Sequence, residues 1–325
     1  MAPQRNATSG TPGNRLRAVG RQRVRAFAEL LRVPNVFTAV ADIVMGFLFT
    51  HPRVPLFELS SDAAGAVSGL IAVSCSLYLA GMVLNDVFDR AVDARERPSR
   101  PIPSGRVSIT TARRLGFALL GLGMGMAWGL SMVFAASTAG VIATILAACV
   151  LAYDGLAKNT LAGPLLMGGC RFMNVMLGMS LSGQAVQADS LLVAAGIGVY
   201  VAGISWLART EANPSARSPL VLGTAMLVGG LAILSCIPLL RAVVVTPRRW
   251  AAFWSILALL VTWRCVPAIA RPSAQTVQAA VRSAIQSLII LDAAVTFAAQ
   301  GASWGVAVLC LLFPAFLLGQ WIYST

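Results

Sequence analysis

The sequence predicts an all-α protein, a polytopic bundle of nine or ten transmembrane helices. Three observations carry this expectation. Hydrophobic residues make up 57% of the 325 residues and charged residues only 11%, against roughly a quarter charged in an ordinary soluble protein. The apolar residues fall into runs close to the ~20 that a helix needs to cross a bilayer. The basic residues collect in alternate segments between those runs, the pattern of cytoplasmic loops.

Taken in order, the runs predict spans at about 28–49, 65–86, 113–133, 137–154, 163–183, 189–209, 219–240, 249–266, 280–299 and 302–322. The last two are separated by "AQGAS" and read as two spans, or as one span with a re-entrant piece. Residues 1–26 are polar and basic and lack the apolar core of a secretory signal. They read as a disordered basic tail, and 27–325 as a single transmembrane domain whose first helix serves as an uncleaved insertion signal.

The net charge of +13 is unevenly placed. Arg5, Arg15, Arg17, Arg21, Arg23, Arg25 and Arg32 precede or open the first run, and a second group extends from Arg90 to Arg114. The loops at 134–136 and 184–188 hold no base. This asymmetry puts the N-terminus and the 87–112 segment on the cytoplasmic side, and the expected setting is a bacterial inner membrane. The basic stretches suit anionic lipid head groups; no nucleic-acid partner is expected. The six cysteines lie scattered in apolar runs without metal-ligand spacing, and His51 has no companion. Histidine-based zinc sites and nucleophilic triads are therefore not expected.

The segment "NDVFDRAVDARERPSRPIPSG", Asn85 to Gly105, follows the second run. Its aspartates Asp86, Asp89 and Asp93 are spaced by three and four, which on a helix sets them on one face with Asn85 at the edge. Like charges so close to hydrocarbon repel one another and lose hydration, and a cation removes both costs. Oxygen-only ligands suit magnesium, which takes one or two carboxylates and completes its shell with water and phosphate oxygens. Arg97 and Arg100 stand in a proline-stiffened loop and can bind a diphosphate. The alternative on spacing alone is a solvated helix end whose aspartates pair with Arg90 and Arg95.

"NDVFDRAVD" matches the NDxxDxxxD pattern of the UbiA superfamily of intramembrane prenyltransferases, and "RPSRPIPSGRVS" resembles the segment that follows it there. Within the superfamily the chain looks closest to the EboC-like branch, through "RVPNVFTAVADIVMG", "GPLLMGGCRFMNVMLGMSL" and "SLIILDA". The resemblance implies a helical bundle around a lipid-accessible cavity, with magnesium joining the aspartates to a prenyl diphosphate. It also implies attack of an acceptor, often aromatic, on the allylic cation. Asn85, Asp86, Asp89 and Asp93 inherit the metal and diphosphate roles, and Lys158 of "YDGLAK" resembles the lysine of a Tyr-x-x-x-Lys pattern that contacts diphosphate, with one residue more between Tyr153 and Lys158. A second acidic motif, DxxxD, is expected after the sixth helix. In "LARTEANPSARSPL" Arg217 and Ser218 match the basic-Ser pair that follows it, Glu211 takes the second acidic place as a metal ligand, and Leu207 stands in the first.

Asp42 lies inside the first span on the face of Asn35, and Arg171 and Asn174 share a face of the fifth. An ionisable residue at such depth is a functional candidate. Asp42 is expected to shape an acceptor site or act as a base, and Asn35 and Asn174 to contact substrate. Arg171 is expected to reach a diphosphate or to neutralise Asp42 or Asp154. The leading function is magnesium-dependent prenyl transfer from a prenyl diphosphate to an unidentified acceptor. The alternative is a non-catalytic or transporting membrane protein on the same scaffold.

Overall fold

A computed structural model describes residues 12–56, 58–182, 184–209, 217–243 and 245–321. The first helix, α1 (Pro12–Leu31), precedes the first apolar run. Residues 12–26, expected to be part of a disordered tail, are thus helical. The reason is a short apolar stripe: Ala26 and Leu30 bury against Val83, Ile102, Val107 and Ala112, clamping α1 to the loop that follows the aspartate segment. The described residues form no strand.

The membrane helices follow as α2 (Val33–Thr50), α3 (Ser61–Phe88), then after the short α4 (Arg90–Glu96), α5 (Ile109–Val133) and α6 (Thr138–Ala152). Next come α7 (Gly163–Met179), α8 (Ala188–Arg209), α9 (Arg217–Ser235), α10 (Pro247–Ala270) and α11 (Ala274–Gln300). The broken pair α12 (Ala302–Leu309) and α13 (Leu312–Trp321) completes the described chain. Nine helical segments among the described residues are long and apolar enough to cross a membrane. α7, at 17 residues, is shorter and lies in the middle of the bundle between α2, α6 and α8. The last segment is Ala302–Gln320, interrupted between α12 and α13.

Packing follows the glycines. A Cβ on Gly46 would sit 2.7 Å from the Val175 carbonyl oxygen, and one on Gly178 would sit 2.7 Å from that of Ile43. With neither Cβ present, α2 and α7 touch backbone to backbone, the small-residue packing that holds helices together where lipid offers no hydrophobic drive. Leu122, Met132, Trp263 and Phe313 stand exposed on the outside, as expected of a surface facing acyl chains.

α3 is 28 residues long. At 1.5 Å per residue it exceeds the ~30 Å hydrocarbon core, so its C-terminal end, carrying Asn85 and Asp86, reaches the interface. Ser60 starts it, its hydroxyl accepting from the Ala63 amide at 3.2 Å. Ser108 caps α5 in the same way, from the Thr111 amide at 3.1 Å. Between the Asp89 break and that cap runs the proline loop. Gly105 turns it with φ of 73°, a left-handed geometry that suits glycine. Ile102 and Val107 bury and pin it down.

Candidate active site

A cavity of about 380 Å³ opens among α2, α3, α6, α7, α8 and α11. Its mouth carries Asn85, Asp89, Arg97, Arg100 and Lys158, and its body is apolar, with Leu77, Met82, Val150, Met167, Ile204 and Leu288. Further in, Asn35, Thr38, Arg171 and Asn174 form a second polar wall. Ser74, which bonds Asn174, precedes Asn85 on α3 by eleven residues, roughly 16 Å along a helix.

The aspartates do not share one face. α3 ends at Phe88 and the chain restarts as α4 at Arg90, with Asp89 between them at ψ of −1°. That break divides the set. Asn85 and Asp89 line the cavity, and the Asn85 amide donates to Asp89 Oδ2 at 3.3 Å. Lys158 Nζ donates to Asn85 Oδ1 at 2.7 Å and pairs with Asp89. Asp86 and Asp93, buried at 4% and 3% exposure, turn instead toward Arg100. Its Nη1 donates to Asp86 Oδ1 at 3.2 Å and to Asp93 Oδ2 at 2.7 Å. Arg32 Nη2 adds a third contact to Asp86 Oδ1 at 2.9 Å. The partners are therefore Arg32, Arg100 and Lys158, and neither Arg90 nor Arg95.

Arg32 joins α1 to α2 with φ 46° and ψ 46°. This left-handed conformation costs a non-glycine residue roughly 1–2 kcal/mol, and such outliers concentrate at functional sites. A second irregularity lies opposite. Residues Tyr153–Ala157 form a π-helical turn, in which the Lys158 amide reaches back five residues to the Tyr153 carbonyl at 3.0 Å. The extra residue turns both Asp154 and Lys158 to the cavity, a use typical of π-bulges. Sequence reasoning gave Asp154 no role in this site. The available signal was an acid four residues before Lys158, directly after Tyr153.

Asp42, expected as a catalytic residue, is sealed behind the inner wall with no exposed surface. Asn174 Nδ2 and Arg171 Nη1 each donate to its Oδ2 at 2.8 Å. Arg171 Nη2 also donates to the Thr38 hydroxyl at 2.6 Å, and the Ser74 hydroxyl donates to Asn174 Oδ1 at 2.6 Å. Of the two fates expected for Arg171, neutralising Asp42 is the one observed. Asp292 of α11 is equally buried near this pair, and neither of its carboxyl oxygens has a hydrogen-bond partner among the described residues.

The described part of the second acidic motif lies off the cavity. Leu207 is 1% exposed and packs on Gly223 of α9; the cavity side of α8 is Val201, Ile204, Ser205 and Ala208. Arg217, expected to bind substrate, is exposed and donates to the Ala270 carbonyl at 3.4 Å, away from the cavity. It starts α9, which leans on α10. Glu211 lies outside the described residues.

The oxygen donors fit magnesium when diphosphate shares the ion. Among the described residues no three acidic, histidine or cysteine side chains converge as a ready-made metal cage. Asn85, Asp89 and Asp154 nonetheless line one cavity, and Asp154 Oδ2 is buried with no hydrogen-bond partner. One or two carboxylates completed by water and phosphate oxygens is the usual magnesium arrangement.

Known proteins resemble this chain in sequence and in fold. A digeranylgeranylglyceryl phosphate synthase from Sulfolobus acidocaldarius is 37% identical over 103 residues, 31% of this chain and 34% of the relative. One from Methanosarcina barkeri is 28% identical over 166 residues, 49% of this chain and 56% of the relative. The chain thus matches about a third to a half of these relatives' length. A solved structure of a UbiA homolog from Archaeoglobus fulgidus bound to GPP and Mg2+ superposes with TM-score 0.60 at 16% identity, covering 87% of this chain and 99% of that one. A UbiA homolog from Aeropyrum pernix K1 gives 0.57 at 17% identity, covering 79% of this chain and 97% of that one. The family match is to the whole family and does not separate the EboC-like branch. It extends over residues 43–284, from the membrane end of α2 through the aspartates and Lys158 into α11, and by it the chain belongs to the UbiA prenyltransferase family.

Proposed function

We propose that the protein transfers an isoprenyl group from a prenyl diphosphate to an acceptor within the membrane, with magnesium as cofactor. One observation carries the reading: a charged mouth that opens directly into an apolar cavity of about 380 Å³. A prenyl diphosphate has the same division. Its chain would lie among Leu77, Met82, Val150 and Met167, with its diphosphate at Asn85, Asp89, Arg97, Arg100 and Lys158.

In this reading the allylic C–O bond breaks, its electron pair leaves with pyrophosphate, and the acceptor bonds to the allylic carbon and loses a proton. Arg100 and Lys158 stabilise the departing charge. Magnesium, when bound, would neutralise the diphosphate; Asp89, with Asn85 and Asp154 beside it in the cavity, would hold it, and Asp86, Asp93 and Glu211 of the second motif are proposed to join once the diphosphate takes Arg100 from Asp86 and Asp93. The low-dielectric walls strengthen these interactions and exclude water, which would otherwise capture the cation. Asn35, Thr38, Arg171 and Asn174 would receive a polar group of the acceptor, and Asp42 holds Arg171 and Asn174 in position rather than acting as a base. The relatives named as digeranylgeranylglyceryl phosphate synthases and the GPP-bound neighbour support the substrate class.

The test is incubation of purified protein with prenyl diphosphates of increasing length and a lipid extract, with and without magnesium. Mass spectrometry of the lipids and a pyrophosphate assay read the outcome. Magnesium-dependent pyrophosphate release with a prenylated lipid is expected. Magnesium-dependent binding without pyrophosphate release would favour the non-catalytic or transporting reading, which the absence of an acid on the cavity side of α8 motivates.

The reading includes a bacterial inner membrane with N-terminus and mouth in the cytoplasm. Helical spans suit that membrane, since outer-membrane proteins are β-barrels; the arginines at both ends of the mouth suit the cytoplasmic side. A cysteine at Ser104, with native thiols removed, is expected to resist an impermeant maleimide in intact cells. Rapid labelling there would invert the topology.

A further inference from the structure

A second cavity, of about 250 Å³, adjoins the first on the α1 side. Glu29 of α1, Arg32, Asp86 of α3 and the loop residues Ser99, Arg100 and Arg106 form it. Arg32 and Arg100 line both cavities. Each donates to Asp86 Oδ1, at 2.9 Å and 3.2 Å. The Arg32–Asp86–Arg100 cluster is therefore a septum between two chambers.

We propose that the second chamber binds inorganic pyrophosphate on its way from the main cavity to water. The inference rests on the prenyl-transfer reading, which supplies the pyrophosphate. The chamber's walls carry three guanidinium groups against two carboxylates, so they favour an anion. Pro101 is the one apolar side chain among the described lining residues. Nothing there shelters a hydrocarbon tail, so the occupant is a free anion, and neither the prenyl substrate nor a lipid headgroup with its chains suits the space. In the main cavity the reverse holds: the prenyl group and the acceptor stay in apolar surroundings after transfer, and only the pyrophosphate needs water.

The septum explains the handover. An anion at the mouth competes with Asp86 for the same guanidinium groups of Arg32 and Arg100, and those side chains already face the second chamber. Arg106 is the next cation. Its Nη1 donates to Glu29 Oε2 at 2.6 Å and its Nη2 to the Ser99 carbonyl at 2.6 Å, and its Nε donates to the Ser104 hydroxyl at 3.1 Å. Glu29 thus competes with an arriving anion for Arg106. The left-handed backbone at Arg32 turns the chain between Glu29 and the membrane, so that residues three apart in sequence face one chamber.

The test is equilibrium dialysis of radiolabelled pyrophosphate against the full chain in phosphatidylcholine nanodiscs, with the main cavity saturated by a prenyl thiolodiphosphate and magnesium. One further equivalent of pyrophosphate is expected to bind. Arg106→Gln is expected to weaken that binding about tenfold through loss of a charge-assisted contact. Glu29→Gln is expected to tighten it by removing the competing carboxylate. Thiolodiphosphate affinity is expected to stay unchanged in both variants, and the opposite signs separate anion binding from damaged folding. If thiolodiphosphate binds and no further equivalent does, the exit site is overturned while prenyl transfer stands. If thiolodiphosphate fails to bind, both fall. Equal weakening at both sites by Arg106→Gln would mean a single diphosphate site and overturn the proposal. Displacement of the pyrophosphate when phosphatidylglycerol replaces phosphatidylcholine would assign the chamber to lipid headgroups and overturn it as well.

Discussion

Asp89→Asn is expected to lower prenyl transfer by about 10²–10³-fold, the usual cost of removing one electrostatic element from a reacting centre. Asp89 is the aspartate of its segment that lines the main cavity, and Asn85 and Lys158 both contact it. The asparagine keeps the shape and removes the charge. Magnesium-dependent binding of a non-hydrolysable prenyl diphosphate should fall with it, measured by calorimetric titration, while thermal unfolding changes little. Asp86→Asn should also lose this magnesium-dependent binding, because it removes one of the proposed magnesium ligands. Unchanged binding in both variants would make the aspartates structural.

Arg171→Leu is expected to destabilise the protein by about 3–5 kcal/mol, because it leaves buried carboxyls without their cation. Asp42 and Asp292 are both 0% exposed, and Arg171 is 9% exposed. The triple variant Arg171→Leu with Asp42→Asn and Asp292→Asn should recover much of that loss, since a neutral cluster carries no unpaired charge. Unfolding in detergent micelles measures both. A single variant as stable as the starting protein would show that water or another cation reaches the cluster. Additive losses in the triple variant would show that the three side chains do not act together.

Much of the architecture was legible because bilayer thickness fixes the length of apolar runs; the expected starts miss by at most six residues, at α11, which begins at Ala274 and not at 280. The mouth was legible through residues close in sequence. Asn85, Asp89 and Arg100 come from one segment, and short spacings translate directly into proximity. Asp154 was not legible, because a π-helical turn breaks the helical count on which face assignments rest. Leu207 was misassigned for a related reason. Counting back from Arg217 gives a position but not a direction, and the glycine contact between α8 and α9 turns Leu207 outward. Asp292 of α11 comes near Asp42 of α2 from 250 residues away, and no local pattern announces it. Residues 12–26 read as a tail because the arginines around them mask a stripe, Ala26 with Leu30, that only the folded loop completes.

The buried Asp42–Arg171–Asp292 cluster also sets an order on biogenesis. Asp42 enters the membrane with the first span, and Arg171 is translated roughly 130 residues later, about ten seconds at ~5–20 residues per second. Asp292 follows only near the C-terminus. Until then the nascent bundle holds polar groups that have yet to meet, and the early helices depend on the insertion machinery or on interfacial water to shield them. Ribosome stalling or premature termination before α11 would leave an incomplete cluster facing lipid, a state that membrane quality control can recognise by its exposed charge.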